Sequence, residues 1–293
     1  MICKTDRSYG EFEDIYEMNM QAPAALPTRL LTLLIAAVLA SGFAKADDPL
    51  TDADTITERA SLAAYYAGAD GRSDVRMIIS DAQGRQQRRQ FTVLRRNVEE
   101  LGDQQFLVVF SQPSDVRGTV FLVDKHVDRD DDRWLYLPGL DLVKRISAGD
   151  KRTSFVGAHY FYEDVSGRAH TEDRHELVET TDEHYVLRHE PLDPASVEFA
   201  SYVTWIDRDT YLPMTIEYTN AAGKVYRRVE VLEVETIDGH PTVTLSRVSD
   251  LETGGRTDMQ FRFIQYDVGL PESVFTERSL RAPPRDWLGR PAS

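Results

Sequence analysis

The chain has 293 residues, 49 acidic and 34 basic, with a net charge of -15 and 41% hydrophobic residues. A surface of that sign repels phosphate backbones and releases no counterions, which argues against nucleic acid as a partner and gives anionic membranes no electrostatic hold. The single cysteine is Cys3, so neither disulfides nor thiolate metal sites can support the rest of the chain, and the fold must rest on an apolar core.

The leader carries the acidic run Glu11-Phe12-Glu13-Asp14, the wrong charge for the start of an export signal, and Met18 or Met20 is a better start. After Arg29, the apolar run Leu30 to Ala40 falls short of the roughly 20 residues that a membrane-spanning helix needs. It leads to Ala44-Lys45-Ala46, a small-x-small cleavage pattern before Asp47. Residues 1–46 are therefore expected to be leader and cleaved signal, with no cysteine near the cut to lipidate, and the mature chain to act outside the cytoplasm. No linker interrupts residues 47–280, which are expected to form one domain, and the proline-bearing residues 281–293 are expected to form a loosely held tail.

Thr55-Ile56-Thr57-Glu58 matches a capping box, and Ile56, Ala60, Ala63, Ala64 and Ala67 recur at helical spacing, with Gly68 and Gly71 ending the helix. From Arg72 the period changes to two. Val75 to Ser80 and Gln87 to Arg95 flank the turn Asp81-Ala82-Gln83-Gly84. In the second run Arg89, Phe91, Val93 and Arg95 share one face and Arg88, Gln90, Thr92 and Leu94 the other. Further strands are expected at Phe106 to Phe110, Thr119 to Asp124, Arg133 to Leu137 and Leu142 to Ile146. Between Ser147 and Leu177 the pattern becomes irregular, with room for one helical turn. A second run of strands extends from His184 to Tyr266, with turns at Asn220-Ala221-Ala222-Gly223 and Ile237-Asp238-Gly239-His240. About eleven antiparallel strands and one long helix make an α+β fold.

Catalytic signatures are missing. No Gly-x-Ser-x-Gly elbow occurs, and the serines adjoin no partner motif. His170 and His175, like His184 and His189, stand five apart, an odd offset that puts side chains on opposite faces of a strand, so neither pair makes a ready metal site. Asp128-Arg129-Asp130-Asp131-Asp132 opens like a calcium loop but continues with Arg133 and Gly139 where glycine and a bidentate glutamate are required, which leaves a charged turn. No enzyme activity, metal or cofactor is expected. What the strands do supply is aromatic and aliphatic bulk: Phe91, Val93, Phe106, Val108, Phe110, Phe121, Trp134, Tyr136, Phe155 and Tyr160. One helix is too little to cover so wide a sheet, which must either curl nearly closed or keep an apolar concavity for a ligand.

Four stretches resemble a known family. They are Asp81-Ala82-Gln83-Gly84 with the basic strand after it; Trp134-Leu135-Tyr136-Leu137-Pro138 with Val143-Lys144-Arg145-Ile146; Ser154-Phe155-Val156-Gly157 through Tyr162-Glu163-Asp164; and Trp205-Ile206-Asp207 with Leu212-Pro213, running to Lys224. With Phe275-Thr276 near the end, their order is similar to that of periplasmic outer-membrane lipoprotein-sorting proteins related to the LolA-type carriers. The resemblance implies an incomplete, half-open antiparallel β-barrel with a helical or short irregular lid. Its apolar concavity would hold the acyl chains of a lipoprotein, or a free or hopanoid-like lipid, in the periplasm, in exchange with an inner-membrane transporter. It also implies a basic residue that helps hold the lid, for which Arg89 and Arg95 are the candidates. The alternative within the same scaffold is a regulatory sensor that binds an envelope signalling partner.

Overall fold

The computed structural model describes residues 50–289, so the expected signal and start site lie outside the described residues. The elements run in chain order α1 (Ala53–Tyr65), β1 (Asp70–Ser80), β2 (Gln86–Asn97), β3 (Gln104–Gln112), β4 (Val120–Lys125), β5 (Asp132–Leu137) and β6 (Leu142–Ile146). Then come α2 (Tyr162–Ser166), β7 (Asp173–Thr180), β8 (His184–Pro191), β9 (Ser201–Asp207), β10 (Pro213–Thr219), β11 (Val225–Ile237), β12 (His240–Asp250) and β13 (Arg256–Tyr266). Two short helices, α3 (Glu277–Arg281) and α4 (Arg285–Leu288), complete the order.

All thirteen strands form one antiparallel sheet in the order β6-β5-β4-β3-β2-β1-β13-β12-β11-β10-β9-β8-β7. The first strand pairs with the last, Val75 opposite Phe261, and from this seam two meanders run outward to the edge strands β6 and β7. The sheet is therefore open, and the chain passes from one edge to the other through residues 147–172. Thirteen strands replace the expected eleven or so. The additional β7, Asp-Arg-His-Glu-Leu-Val-Glu-Thr, carries little apolar alternation because it is an edge strand, where charge blunts further pairing. The helix also differs at its ends. Asp52, not Thr55, is the N-cap and accepts from the Thr55 amide at 3.0 Å, and α1 stops at Tyr65, so that Gly71 belongs to β1.

Both faces of β2–β4 are covered. On the concave side Phe91, Phe106, Val108, Phe110, Phe121 and Val123 pack with Phe155, Tyr160 and Tyr162 of the 147–172 segment. On the convex side Leu94, Leu107, Val109, Val120 and Leu122 pack under Leu270, Val274, Phe275 and Leu280. This second cover explains why Arg88–Leu94 carries apolar residues on both faces, and Arg72 ties it down through Nε to the Trp287 carbonyl at 2.9 Å. A third cluster seats Ile56 and Ala60 of α1 on Tyr185, Leu187 and Ile206 of the other meander.

Candidate ligand cavity

The concave face keeps unfilled space. A cavity of about 410 Å³ lies between the sheet, α1 and the 147–172 segment, in the size range of pockets that hold small apolar ligands. Phe106 and Val108 of β3 and Met259 and Phe261 of β13 line it from the sheet, and Phe155 and Tyr160 from the crossing segment. From above, Ala60, Ala64 and Ala67 contribute only methyl groups. Helical spacing puts Ala60 and Ala64 on one side of α1, with Ala67 just past its end, and their shortness leaves the space that longer side chains would fill.

Residues 147–172 form a strap across this space, pinned on the far meander. The Tyr160 hydroxyl shares a hydrogen bond with Ser246 Oγ at 2.8 Å, the His159 amide donates to Thr257 Oγ1 at 3.0 Å, and Arg227 pairs with Asp164. At its root Glu163, 2% exposed, meets Arg152 at 2.6 Å, Lys151 at 3.2 Å and Arg168 at 3.3 Å. Burial opposes ionisation of Glu163, but the three cations outweigh it and bring the carboxyl down to about 2. Arg152 continues to Glu198 at 2.6 Å, with its guanidinium 4.7 Å from the Phe199 ring centre and 5.0 Å from that of Tyr218. Buried charge here is paired and stacked, as burial requires.

A family model described as "Uncharacterized protein" matches residues 102–282, more than half of the chain. The chain belongs to that family. Among solved structures, a DUF1329 family protein from Desulfovibrio piger is 29% identical, covers 80% of this chain and 99% of that one, and superposes with a TM-score of 0.73. An outer membrane lipoprotein-sorting protein domain from Vibrio parahaemolyticus is 27% identical over 78% of this chain and 98% of its own, with a TM-score of 0.71. A LolA superfamily protein from Nitrosomonas europaea, 20% identical over 78% of this chain and 99% of its own, shares the fold at a TM-score of 0.61. No curated protein matches the sequence. The open antiparallel sheet with its N-terminal helix is thus a LolA-like fold.

The cavity collects some of the residues singled out in the sequence and leaves others elsewhere. Phe91, Val93, Phe106, Val108, Phe155, Tyr160 and Arg95 line it. Phe110 and Phe121 are close-packed beside it, their rings 5.7 and 5.5 Å from that of Phe155. Trp134 and Tyr136 pack on the convex cluster, on the opposite face of the sheet. Of the two candidate gate arginines, Arg95 bonds the Ala67 carbonyl just past α1 and Asn97 Oδ1 at 2.5 Å, so it anchors the chain leaving the helix. Arg89 stands apart, 3.8 Å from Asp115. The strap is held instead by Arg152, which reaches Glu198, and by Arg227, which reaches Asp164, partners far away in sequence that give no spacing signal, while Arg168 pairs locally with Glu163, Glu172 and Asp173.

The histidines pair differently from their sequence offsets. His175 lies opposite His189 across β7 and β8, their Nδ1 atoms 2.7 Å apart, and His175 Nε2 reaches the His170 carbonyl at 2.8 Å. Burial, reinforced by His175, brings His189 down to about 3, so its imidazole is neutral where it stacks on Tyr202. The Asp128–Asp132 run belongs to the β4–β5 turn, where Asp132 meets Arg129 at 2.9 Å and Asp131 pairs with Arg133. Among the described residues, no group of three or more His, Cys, Asp or Glu side chains is arranged to hold a metal ion.

Proposed function

We propose that this protein is a periplasmic carrier that shelters the acyl chains of a lipoprotein, or a related lipid, and moves them toward the outer membrane without making or breaking bonds. The observation that carries this reading is the unfilled apolar space between α1, the strap and the concave sheet. Each methylene exposed to water costs about 0.8 kcal/mol, so an acylated molecule needs such a shelter to leave a bilayer. The description of the Vibrio parahaemolyticus relative as lipoprotein-sorting supports the same assignment, and so does the expected export signal. An inner-membrane transporter would load the carrier.

Native mass spectrometry of residues 47–293, purified without detergent, tests this reading. The expected spectrum contains adducts of acyl-chain mass, and the stripped protein takes up a fluorescent fatty acid that natural lipids displace. A protein that emerges empty and binds no hydrophobic probe is not a lipid carrier.

A further inference from the structure

The sheet has a gap in its interior. β12 and β13 pair from Ser249 opposite Arg256 to Leu245 opposite Gln260, and there their register ends. Beyond that point each strand follows its other neighbour. β12 stays with β11 down to His240 opposite Ile237, and β13 stays with β1 up to Tyr266 opposite Gly71. Two side-chain contacts bridge the separation at its far end. The Tyr266 hydroxyl shares a hydrogen bond with Thr242 Oγ1 at 2.9 Å, and the Tyr266 and His240 rings meet edge-on at 5.0 Å. Along this stretch, side chains thus do the joining that backbone hydrogen bonds do between neighbouring strands elsewhere.

Both banks of the gap line the cavity: Thr242 and Val243 on one side, Ile264, Gln265 and Tyr266 on the other. On the β13 bank the ladder to β1 shifts register between Arg72 and Asp74, and opposite that shift Phe263 adopts φ +51°, a left-handed conformation uncommon for a bulky residue. The conformation leaves Phe263 52% exposed, and Val234, opposite Val243 on the strand next to β12, is 38% exposed. Apolar side chains at the outside of a gap that opens into an apolar cavity make a continuous hydrocarbon-compatible path.

We propose that the slot between β12 and β13 is a lateral entry site for a single hydrocarbon chain, with Tyr266 and Thr242 as its clasp. The proposal rests on the carrier reading and adds a route that avoids the strap. A chain sliding in sideways leaves its polar head outside, at the Phe263 bank, so the ligand class is an acylated molecule whose headgroup is too large for the cavity. The clasp breaks one hydrogen bond on opening, whereas raising the strap breaks its bonds to Ser246 and Thr257 and the Asp164–Arg227 ion pair.

The test measures stopped-flow uptake of a fluorescent fatty acid alongside its equilibrium affinity. Tyr266→Phe is expected to speed uptake about fivefold, the rate equivalent of one lost hydrogen bond. Val243→Cys with Gln265→Cys, joined by a thiol reagent that contains a cleavable disulfide, is expected to slow uptake severalfold and to recover on reduction. The comparison is made within one folded molecule, and no cysteine follows Cys3 to interfere. If the stapled and reduced forms load at the same rate, the slot is overturned and the carrier stands. If the unmodified protein takes up no probe at all, the carrier reading falls and the slot with it.

Discussion

At the scale of single residues, the strap depends on buried charges whose titration has a defined sign. Glu163 is held at about 2 in the folded chain against an ordinary 4.5, so its contribution is complete above about pH 4.5 and disappears as pH falls toward 2. Glu163→Gln is expected to lose about 3–5 kcal/mol of stability at pH 7, because three cations lose their shared partner. The variant should also show a flatter decline than the parent between pH 4.5 and 2, measured by urea denaturation at each pH. Lys125 works in the opposite sense. Its Nζ donates to the Ser166 carbonyl at 2.7 Å at the end of α2, and burial brings it down to about 8 from 10.5. Between pH 8 and 10 the unfolded chain keeps this proton while the folded chain releases it, so stability rises with pH. Lys125→Met should remove that rise, which a thermal-shift series over the same range reads directly.

At the scale of elements, the junctions matter more than the helices and strands themselves. Gly167 leaves α2 at φ +75°, and a Cβ there would stand 2.6 Å from the Tyr65 ring at the end of α1. Gly167→Ala therefore pays twice, in backbone strain and in displacing the aromatic wall of the cavity, and should lower both the melting temperature and probe affinity. The convex cover gives the contrasting case. Leu280, 1% exposed, packs on the sheet face away from the cavity, so Leu280→Ala should cost about 2–5 kcal/mol while leaving the affinity of the remaining folded protein unchanged. These elements differ in how far the sequence shows them. Alternation along β2 is readable because Phe91 and Val93 oppose Thr92 and Leu94, and the α1 alanines are readable by their spacing. β7 is not, since an edge strand has little need of an apolar face. The C-terminal cover is not either, because Leu270, Val274, Phe275 and Leu280 are scattered through loops and short helices too small to show a period.

At the scale of the whole molecule, an open sheet of thirteen strands buries β2–β4 on both faces and still leaves space over the concave face. The composition shows that surplus of apolar surface but cannot locate it. Phe91, Phe106, Phe110 and Phe121 look alike along the chain, and only the crossing strap decides which rings it covers and which it leaves facing the cavity. Two substitutions separate these situations. Phe121 is fully buried between Phe155 and Tyr162, with ring centres 5.5 and 5.1 Å away, so Phe121→Asp places a charge where neither water nor a counterion reaches and should abolish folding. Phe106 borders the cavity, where an introduced carboxylate can draw in water, so Phe106→Asp should keep its strand-rich circular dichroism and cooperative melting while losing most of its uptake of a fluorescent fatty acid. If both variants unfold alike, the space beside Phe106 behaves as ordinary core, and the cavity is closed to ligands in solution.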